Sequence, residues 1–451
     1  MAYLVVPHDV SANTATIWLG AIDEPFSASQ MRLVSNLGEH TLAAIWEHWV
    51  SQDGAHHLDY QRVTITGLPP RTSMTVHLLV NGQPQADARL STLPLQLPTL
   101  EEKPFTVLLG SCFCKREDAE GAVGRTYVRL PSGSRPDVKI LCGDQVYLDD
   151  PWAHYLWHTH DRGELEGEFF RNYRDTWLQE LGFRQLLTQG ANYFSPDDHE
   201  YWNNAPNVAT VIRDTWSRGS RQEWFTTARQ FFQMFQNSAP ITTFGVGPLS
   251  FLIADTRSNR SSDETDFMLP ADLQTVAQWI QNLPGPGVLV VGQPLFSDKA
   301  GLLRGTFADW NLSDFRQYGQ LARLLVQSPH SIVILSGDVH YGRIAWCTPV
   351  SGGELIEVVS SPMSLVDQLA EGSWAEAPDL FPPFALPGVV RAPVQTLAEE
   401  TFSPIASHFL TLEFAATGAH VRMTVRFWPI SRQGSSPGAG FGQAVYQRFL
   451  H

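Results

Sequence analysis

Apolar residues fall into two rhythms along the chain. Over residues 1–95 they gather in short β-rich runs, Thr14 to Leu19, Gln30 to Val34, Arg62 to Ile65 and Met74 to Val80, with turn residues closely spaced between them. Strands recurring at this spacing predict an all-β sandwich. The proline-marked stretch Leu93 to Pro104 reads as a linker, so the expected domains are residues 1–95 and 99–451. Beyond the linker, short and almost wholly apolar runs alternate with stretches of helical periodicity. The runs are Phe105–Leu109, Val138–Leu141, Leu249–Ala254, Val288–Val291, Ile332–Leu335 and Leu355–Val359. Strands without a polar face are expected to be covered on both sides. Helices are predicted over 164–188, 219–236, 271–283 and 313–327. Together these elements predict an α/β fold, a layered sandwich preceded by the N-terminal β domain. Phe409–Phe414 and His420–Phe427 predict an antiparallel hairpin. Residues 361–405 carry seven prolines and little periodicity, which marks a long functional or disordered loop.

Composition narrows the function classes. Of 451 residues 43% are hydrophobic and only 17% are charged, with 14 Trp, which predicts much buried surface and aromatic-lined pockets. Acidic residues outnumber basic ones, 46 to 31, for a formal charge of −15. Such a chain is ill suited to general binding of nucleic acid or anionic membranes, but it can concentrate cations. No apolar run approaches the ~18 residues of a membrane span. The N-terminus MAYLVVPHDV has no basic region, long apolar stretch or twin arginine, so an unexported, cytoplasmic protein is expected unless a leader has been removed. Four cysteines, Cys112, Cys114, Cys142 and Cys347, make no disulfide scaffold.

The candidate chemistry lies where apolar runs stop. Phe105–Leu109 runs into Gly110-Ser111-Cys112. Val138–Leu141 leads to Gly143-Asp144-Gln145-Val146-Tyr147, and Ile332–Leu335 to Ser336-Gly337-Asp338-Val339-His340. In open α/β sheets the carboxyl ends of strands line one crevice. A thiol, two carboxylates, a phenol and an imidazole are therefore expected to converge there. The glycine before each ligand permits a tight turn and close backbone approach. One Gly-Asp pair says little, whereas three strand–Gly–ligand units together point to a metal site. A fourth cluster is Pro196-Asp197-Asp198-His199-Glu200, followed by Asn203 and Asn204. Consecutive ionisable residues are costly to bury without partners. The cluster is either an exposed acidic loop or helix cap, or the source of a carboxylate for a second metal and an imidazole for substrate.

In this order, Gly-Ser-Cys, Gly-Asp-Gln-Val-Tyr, Asp-Asp-His-Glu, Asp255-Thr-Arg257 and Ser-Gly-Asp-Val-His resemble the motifs of the PhoD-like alkaline phosphatase/phosphodiesterase family, a branch of the calcineurin-like metallophosphoesterases. The stretch Gly67-Leu-Pro-Pro-Arg-Thr-Ser-Met-Thr-Val-His also resembles the turn-then-strand of a fibronectin type III or immunoglobulin-like domain. That family carries such an N-terminal domain, so the resemblance spans nearly the whole chain. It implies that Asp144 bridges two metals and that Cys112 and Tyr147 are ligands. Asp198 stands where the wider superfamily has an Asn ligand, and His199 is the histidine that follows it. Asp338 and His340 match a Gly-His-x-His motif with Asp for the first His. Gln293 stands where the superfamily has a further His ligand. Thiolate, phenolate and carboxylates suit a hard or borderline trivalent ion better than an all-His dizinc site does. The resemblance implies ferric iron beside calcium in a binuclear or trinuclear site, with zinc or manganese still open. The implied activity is hydrolysis of phosphate mono- or diesters of a small molecule by in-line attack of a metal-bound hydroxide. His199 would act as general acid, and Arg257 or Arg260 would grip the phosphate through a guanidinium fork. A helix-capping or surface role is the alternative for both arginines.

Other signals carry less. Gly434 to Gly438 matches G-x-S-x-G, but Pro437 follows the serine and only His451 lies downstream, where a hydrolase triad needs Asp and then His. His158 and His160, with His154 a turn earlier, read as solvated or helix-end histidines, metal binding or a substrate-facing role being the alternatives. Cys114 and Cys142 read as small buried thiols, and the Trp and Phe of 224–235 as core. No G-x-x-x-x-G-K-[ST] motif for nucleotide phosphates is present. Two further readings compete: a non-catalytic scaffold on a degenerate metal domain, and a metal-dependent hydrolase of a non-phosphate ester.

Overall fold

The computed structural model describes residues 2–150, 155–236, 239–300, 309–364, 376–397, 406–431 and 440–451. Eight strands come first: β1 (Ala2–Val10), β2 (Thr14–Ile22), β3 (Met31–Ser35), β4 (Gly38–His40), β5 (Glu47–Val50), β6 (His57–Thr66), β7 (Ser73–Val80) and β8 (Gln83–Ser91). They form two antiparallel four-stranded sheets, ordered β1-β2-β6-β5 and β4-β3-β7-β8, and Arg89 of β8 also makes an isolated parallel bridge to Gln189. Alternation explains the layering. In β7, Met74, Val76 and Leu78 point into the core while Ser73 is exposed.

The remaining strands are β9 (Phe105–Gly110), β10 (Val138–Cys142), β11 (Ala191–Ser195), β12 (Ile241–Val246), β13 (Leu249–Ala254), β14 (Gly287–Val290), β15 (Ile332–Ser336), β16 (Arg343–Cys347), β17 (Leu355–Val359), β18 (Leu380–Phe381), β19 (Ala392–Thr396), β20 (His408–Thr417), β21 (His420–Pro429) and β22 (Gln443–Leu450). The helices are α1 (Ala122–Val128), α2 (Arg162–Trp177), α3 (Phe183–Leu187), α4 (Arg218–Phe235), α5 (Pro270–Gln281) and α6 (Tyr318–Gln327). One sheet is ordered β11-β10-β9-β20-β21-β22 and the other β12-β13-β14-β15-β17-β16-β19-β18. Each has a parallel core, β11-β10-β9 and β13-β14-β15-β17 respectively, flanked by antiparallel strands.

The all-apolar strands are buried on both faces, as their lack of polar alternation requires. In β15, Val333 and Leu335 join the core between the two sheets, while Ile332 and Ile334 pack with α5 and α6. Leu108, Leu141 and Phe194 face α1 to α4 from the other sheet. The order is therefore helix, sheet, sheet, helix, and no helix among the described residues is long and apolar enough to cross a membrane.

The structure departs from sequence expectation in places. The helix expected over 164–188 is two, α2 and α3, interrupted before Gly182. The region over 313–327 begins as a 3₁₀ turn, Leu312–Asp314, whose capping box is Asn311 with Asp314, before α6 starts at Tyr318. The proline-rich segment is not wholly irregular, since β18 and β19 extend the larger sheet; residues 365–375 and 398–405 lie outside the described residues. Leu93 to Pro104 is pinned rather than loose: Leu97 N–H donates to Gly247 O at 2.8 Å, and Pro98 O accepts from Ala416 N–H at 2.7 Å. Strands β1, β8, β11, β16 and β22 carried too many polar or mixed positions to stand out.

His408 opens β20 fully buried, its Nδ1 2.6 Å from Ala406 O. Burial holds its imidazole down to about 4, from an ordinary 6.5. The unfolded chain therefore takes up the proton first. The stability this histidine contributes is complete above its unfolded value and is lost as pH falls towards the folded one, about 2–3 kcal/mol by pH 4.5. Urea midpoints at neutral and acid pH test this: His408→Gln should lose less stability on acidification than the wild type, and equal losses would refute the assignment.

Candidate metal centre

The parallel strands of both sheets end at one edge, and the turns that leave them share a conformation. Cys112 (φ 54°), Asp144 (φ 59°), Asp338 (φ 66°) and His340 (φ 56°) all sit in the left-handed region. Each costs about 1–3 kcal/mol for a non-glycine residue, and such strain gathers where surrounding structure enforces a functional geometry. Backbone bonds tie the turns together: Cys112 N–H to Gly143 O at 3.2 Å, Phe113 N–H to Asp144 O at 2.7 Å, Gly143 N–H to Ser195 O at 2.8 Å and Gly337 N–H to Gly292 O at 2.9 Å. The glycines serve mainly close approach. A Cβ on Gly143, itself at φ 94°, would lie 2.5 Å from Asp197 Cβ, and one on Gly337 2.3 Å from Ser111 Cβ.

Two groups of ligand atoms result. Asp144, Asp198 and His199 form one, and Asp197, Asp198 and Asp338 the other, with the atoms of each within 4.8 Å of one another. Asp198 belongs to both; the resemblance had cast Asp144 as the shared ligand. Cys112 Sγ adjoins the first group, 3.3 Å from Asp144 Oδ2, and also meets Ser361 Oγ at 3.0 Å and Asp338 O at 3.4 Å. Three buried oxygens here lack any hydrogen-bond partner among the described residues: the Tyr147 hydroxyl, Asp197 Oδ2 and Asp198 Oδ1. Buried polar atoms are rarely left so. Orphaned oxygens among crowded carboxylates are what a cation would complete.

Electrostatics point the same way. Burial, then the neighbouring Cys112 and Asp198, push the Asp144 carboxyl well above its usual range. Burial, with Asp197 and Asp198, does the same to Asp338. Burial lifts Asp197 to about 6 although Arg257 and Arg260 pull it down. Burial raises the Cys112 thiol to about 12, with Asp338 adding to the rise. A bound cation reverses this logic, since it favours every deprotonated form at once.

His199 is oriented by two contacts. Its Nδ1 lies 2.7 Å from Asp149 Oδ1, and its ring stacks on Tyr147 with centroids 4.0 Å apart. Burial lowers its affinity for a proton, but Asp149 and Asp198 together leave it well above the ordinary value.

Several expected roles change. Arg257 is neither a surface residue nor an open fork: it is buried, with Nε on Asp197, Nη2 2.6 Å from Asp309 Oδ2 and Nη1 on Ala205 O at 2.8 Å. Arg260 is also buried, bonded to Thr256 O, Trp310 O and Gln293 Oε1. Gln293 reaches Asp338 through its amide N–H at 2.7 Å while its oxygen takes Arg260, so it stands behind the ligands. His340 follows the same turn, its N–H on Ser361 Oγ at 3.1 Å, but its ring belongs to neither group. His160 is bound to Asp214 at 2.8 Å and lies against His158, away from both groups. His154 and Gly434 to Gly438 lie outside the described residues. Cys114 and Cys142 are buried thiols, and Trp224, Phe231 and Phe235 are core.

Sequence reasoning missed Asp197 as a candidate ligand, Asp149 as the partner of His199, and Asp309. Asp197 stood in a run already singled out, beside Asp198, and Asp149 lies just beyond the run that ends at Tyr147. Nothing local marked Asp309.

No family profile and no curated protein matches the sequence. A solved structure described as "Structure of PhoD" is similar over 97% of this chain and 93% of its own, with a TM-score of 0.57 at 12% identity. The chain has a PhoD-like fold.

Gly337→Ala should destabilise the protein by about 1–3 kcal/mol, the usual range for overpacking. Gly133→Ala, where an added Cβ meets nothing within 4 Å, should be nearly neutral. Urea unfolding of both variants decides this; equal midpoints would show that the Gly337 turn has room to spare.

Proposed function

We propose that this chain is a metal-dependent phosphoesterase that hydrolyses phosphate mono- or diesters of small molecules at a binuclear site. The observation that carries the reading is the pair of largely buried ligand groups joined by Asp198, one with Asp144 and His199 and the other with Asp197 and Asp338, with orphaned oxygens on Asp197, Asp198 and Tyr147. The PhoD-like fold supports it. Sulfur, phenol and carboxylate donors fit ferric iron with calcium, and Cys112, Asp144, Tyr147, Asp197, Asp198 and Asp338 would hold the ions. Bound cations would neutralise charge on the phosphate oxygens and make water a better nucleophile.

The chain's own groups do the rest. Asp149 commits His199 Nδ1 and leaves Nε2 to carry a proton to the departing alkoxide. Stacking on Tyr147 holds the ring plane. Arg257 and Arg260 act behind the ligands, neutralising Asp197 and Asp309 rather than gripping substrate.

Hydrolysis of an aryl phosphate and a bis-aryl phosphate, lost on chelation and inhibited by vanadate, tests the reading; ester hydrolysis indifferent to vanadate would favour a non-phosphate substrate. Asp144→Asn should abolish turnover and metal retention, yet leave the metal-free protein at least as stable as the wild type, because one member of a like-charge cluster is gone. His199→Ala should keep its metal and lose about 10²–10⁴ in kcat. Near-normal turnover in either would remove that residue from its role.

A ferric ion beside Cys112 and Tyr147 should colour the protein. Cys112→Ser should bleach it and weaken metal retention, whereas Cys142→Ser should keep the colour and cost about 1–3 kcal/mol of stability. Visible spectra with metal analysis separate the two, and the opposite pattern would remove Cys112 from the ligand set.

A further inference from the structure

We infer that Glu200 is the positioning residue that sets the distance between the two ligand-bearing turns; this rests on the reading of the site as a cation centre. Glu200 is fully buried, and its carboxylate belongs to neither ligand group. Its carboxylate instead collects backbone donors from both turns. Oε2 accepts from Asp144 N–H at 2.8 Å and Asp197 N–H at 2.9 Å, while Oε1 accepts from Gln145 N–H at 2.7 Å and from Gln236 Nε2 at 3.4 Å.

The position explains why a carboxylate is needed. β10 and β11 pair in parallel as far as Cys142 and Ser195, and there the ladder ends. Past that point Gly143 (φ 94°) and Asp144 (φ 59°) take left-handed backbone while Asp197 stays extended, and three N–H groups are left aimed at one place. A single main-chain carbonyl cannot serve three donors on diverging strands, whereas two anionic oxygens can, with charge-assisted bonds. Asp144 comes from one turn and Asp197 and Asp198 from the other, so the spacing of the ligands follows from this clamp. A glutamine in its place would keep one acceptor but turn an NH₂ towards backbone N–H groups. Glu200 is itself anchored from behind. Gln236 directly follows α4, and the last carbonyls of α4 are held by the N-terminal sandwich: Trp18 Nε1 donates to Met234 O at 2.8 Å and Arg62 Nη2 to Gln233 O at 2.6 Å. The sandwich thereby reaches the metal turns without supplying a ligand.

The test uses the full chain stripped of metal and titrated with Mn²⁺ against a chelator, below the unfolding temperature of each variant. Glu200→Gln should bind Mn²⁺ about 10- to 100-fold more weakly, the usual cost of losing a residue that orients ligands. Its kcat should fall more than its KM rises. Glu200→Asp, which keeps the charge but shortens the reach, should recover part of the affinity. A merely structural Glu200 would lower the unfolding midpoint and leave Mn²⁺ affinity of the folded protein at the wild-type value, and that result overturns the inference while leaving the cation centre standing. A wild type that bound no Mn²⁺, Zn²⁺ or iron would overturn the cation centre itself, and this inference with it. Should neither variant fold, hydrogen exchange on the metal-stripped wild type decides: peptides covering 143–146 and 196–198 should be among the slowest to exchange, and rapid exchange there overturns the inference.

Discussion

Four aspartates held together away from water are the constraint on which the rest of this molecule depends. Asp144, Asp197 and Asp198 are buried and Asp338 is partly so, and each carboxylate raises the cost of ionising its neighbours. Self-repulsion in a medium of low dielectric would scatter such a cluster unless covalent geometry forced it and cations rewarded it. The geometry comes from two parallel-cored sheets whose strands stop at one edge. The reward is partly supplied by the chain: Arg257 pairs with Asp197 and with Asp309, and Arg260 with Asp309. The two guanidinium groups are thus shared with a fifth carboxylate, Asp309, and Arg260 reaches the cluster only indirectly, through Asp309 and Gln293, so the cluster remains short of positive charge.

That shortage accounts for features that would otherwise be defects. Left-handed backbone at Cys112, Asp144, Asp338 and His340, and orphaned oxygens at Tyr147, Asp197 and Asp198, each cost stability with no visible return within the chain. They fall in one place, on turns tied to one another by main-chain bonds, and the buried sheets and helix layers around them supply the rigidity to hold them. His199 sits at the rim of this arrangement, oriented by Asp149 and Tyr147.

Much of this was legible beforehand because it follows local rules. Strands without polar alternation must be covered twice, so β9, β10, β13, β14, β15 and β17 announced a layered sheet. Turn-forming glycines directly after such strands announced Cys112, Asp144 and Asp338. The amphipathic stretches that became α4 and α5 were near their expected bounds. What stayed hidden was relational. Arg257 looked like a hand for phosphate because its sequence neighbours say nothing of Asp309, about fifty residues away, which fills its fork. Gln293 looked like a ligand because the resemblance put it where the superfamily has a His, yet which end of its amide faces Asp338 depends on Arg260.

Composition and hydrophobic pattern, then, determined the layers, the strand ends and most of the candidate donor atoms of this protein, because burial and backbone turning are decided within a few residues. Tertiary structure alone decided which carboxylate is shared, that Asp197 joins Asp198, that Asp149 orients His199 and that Glu200 clamps two turns. Those assignments depend on distances between segments far apart in the chain. Such distances arise only when the sheets close against each other and fix where every strand must end.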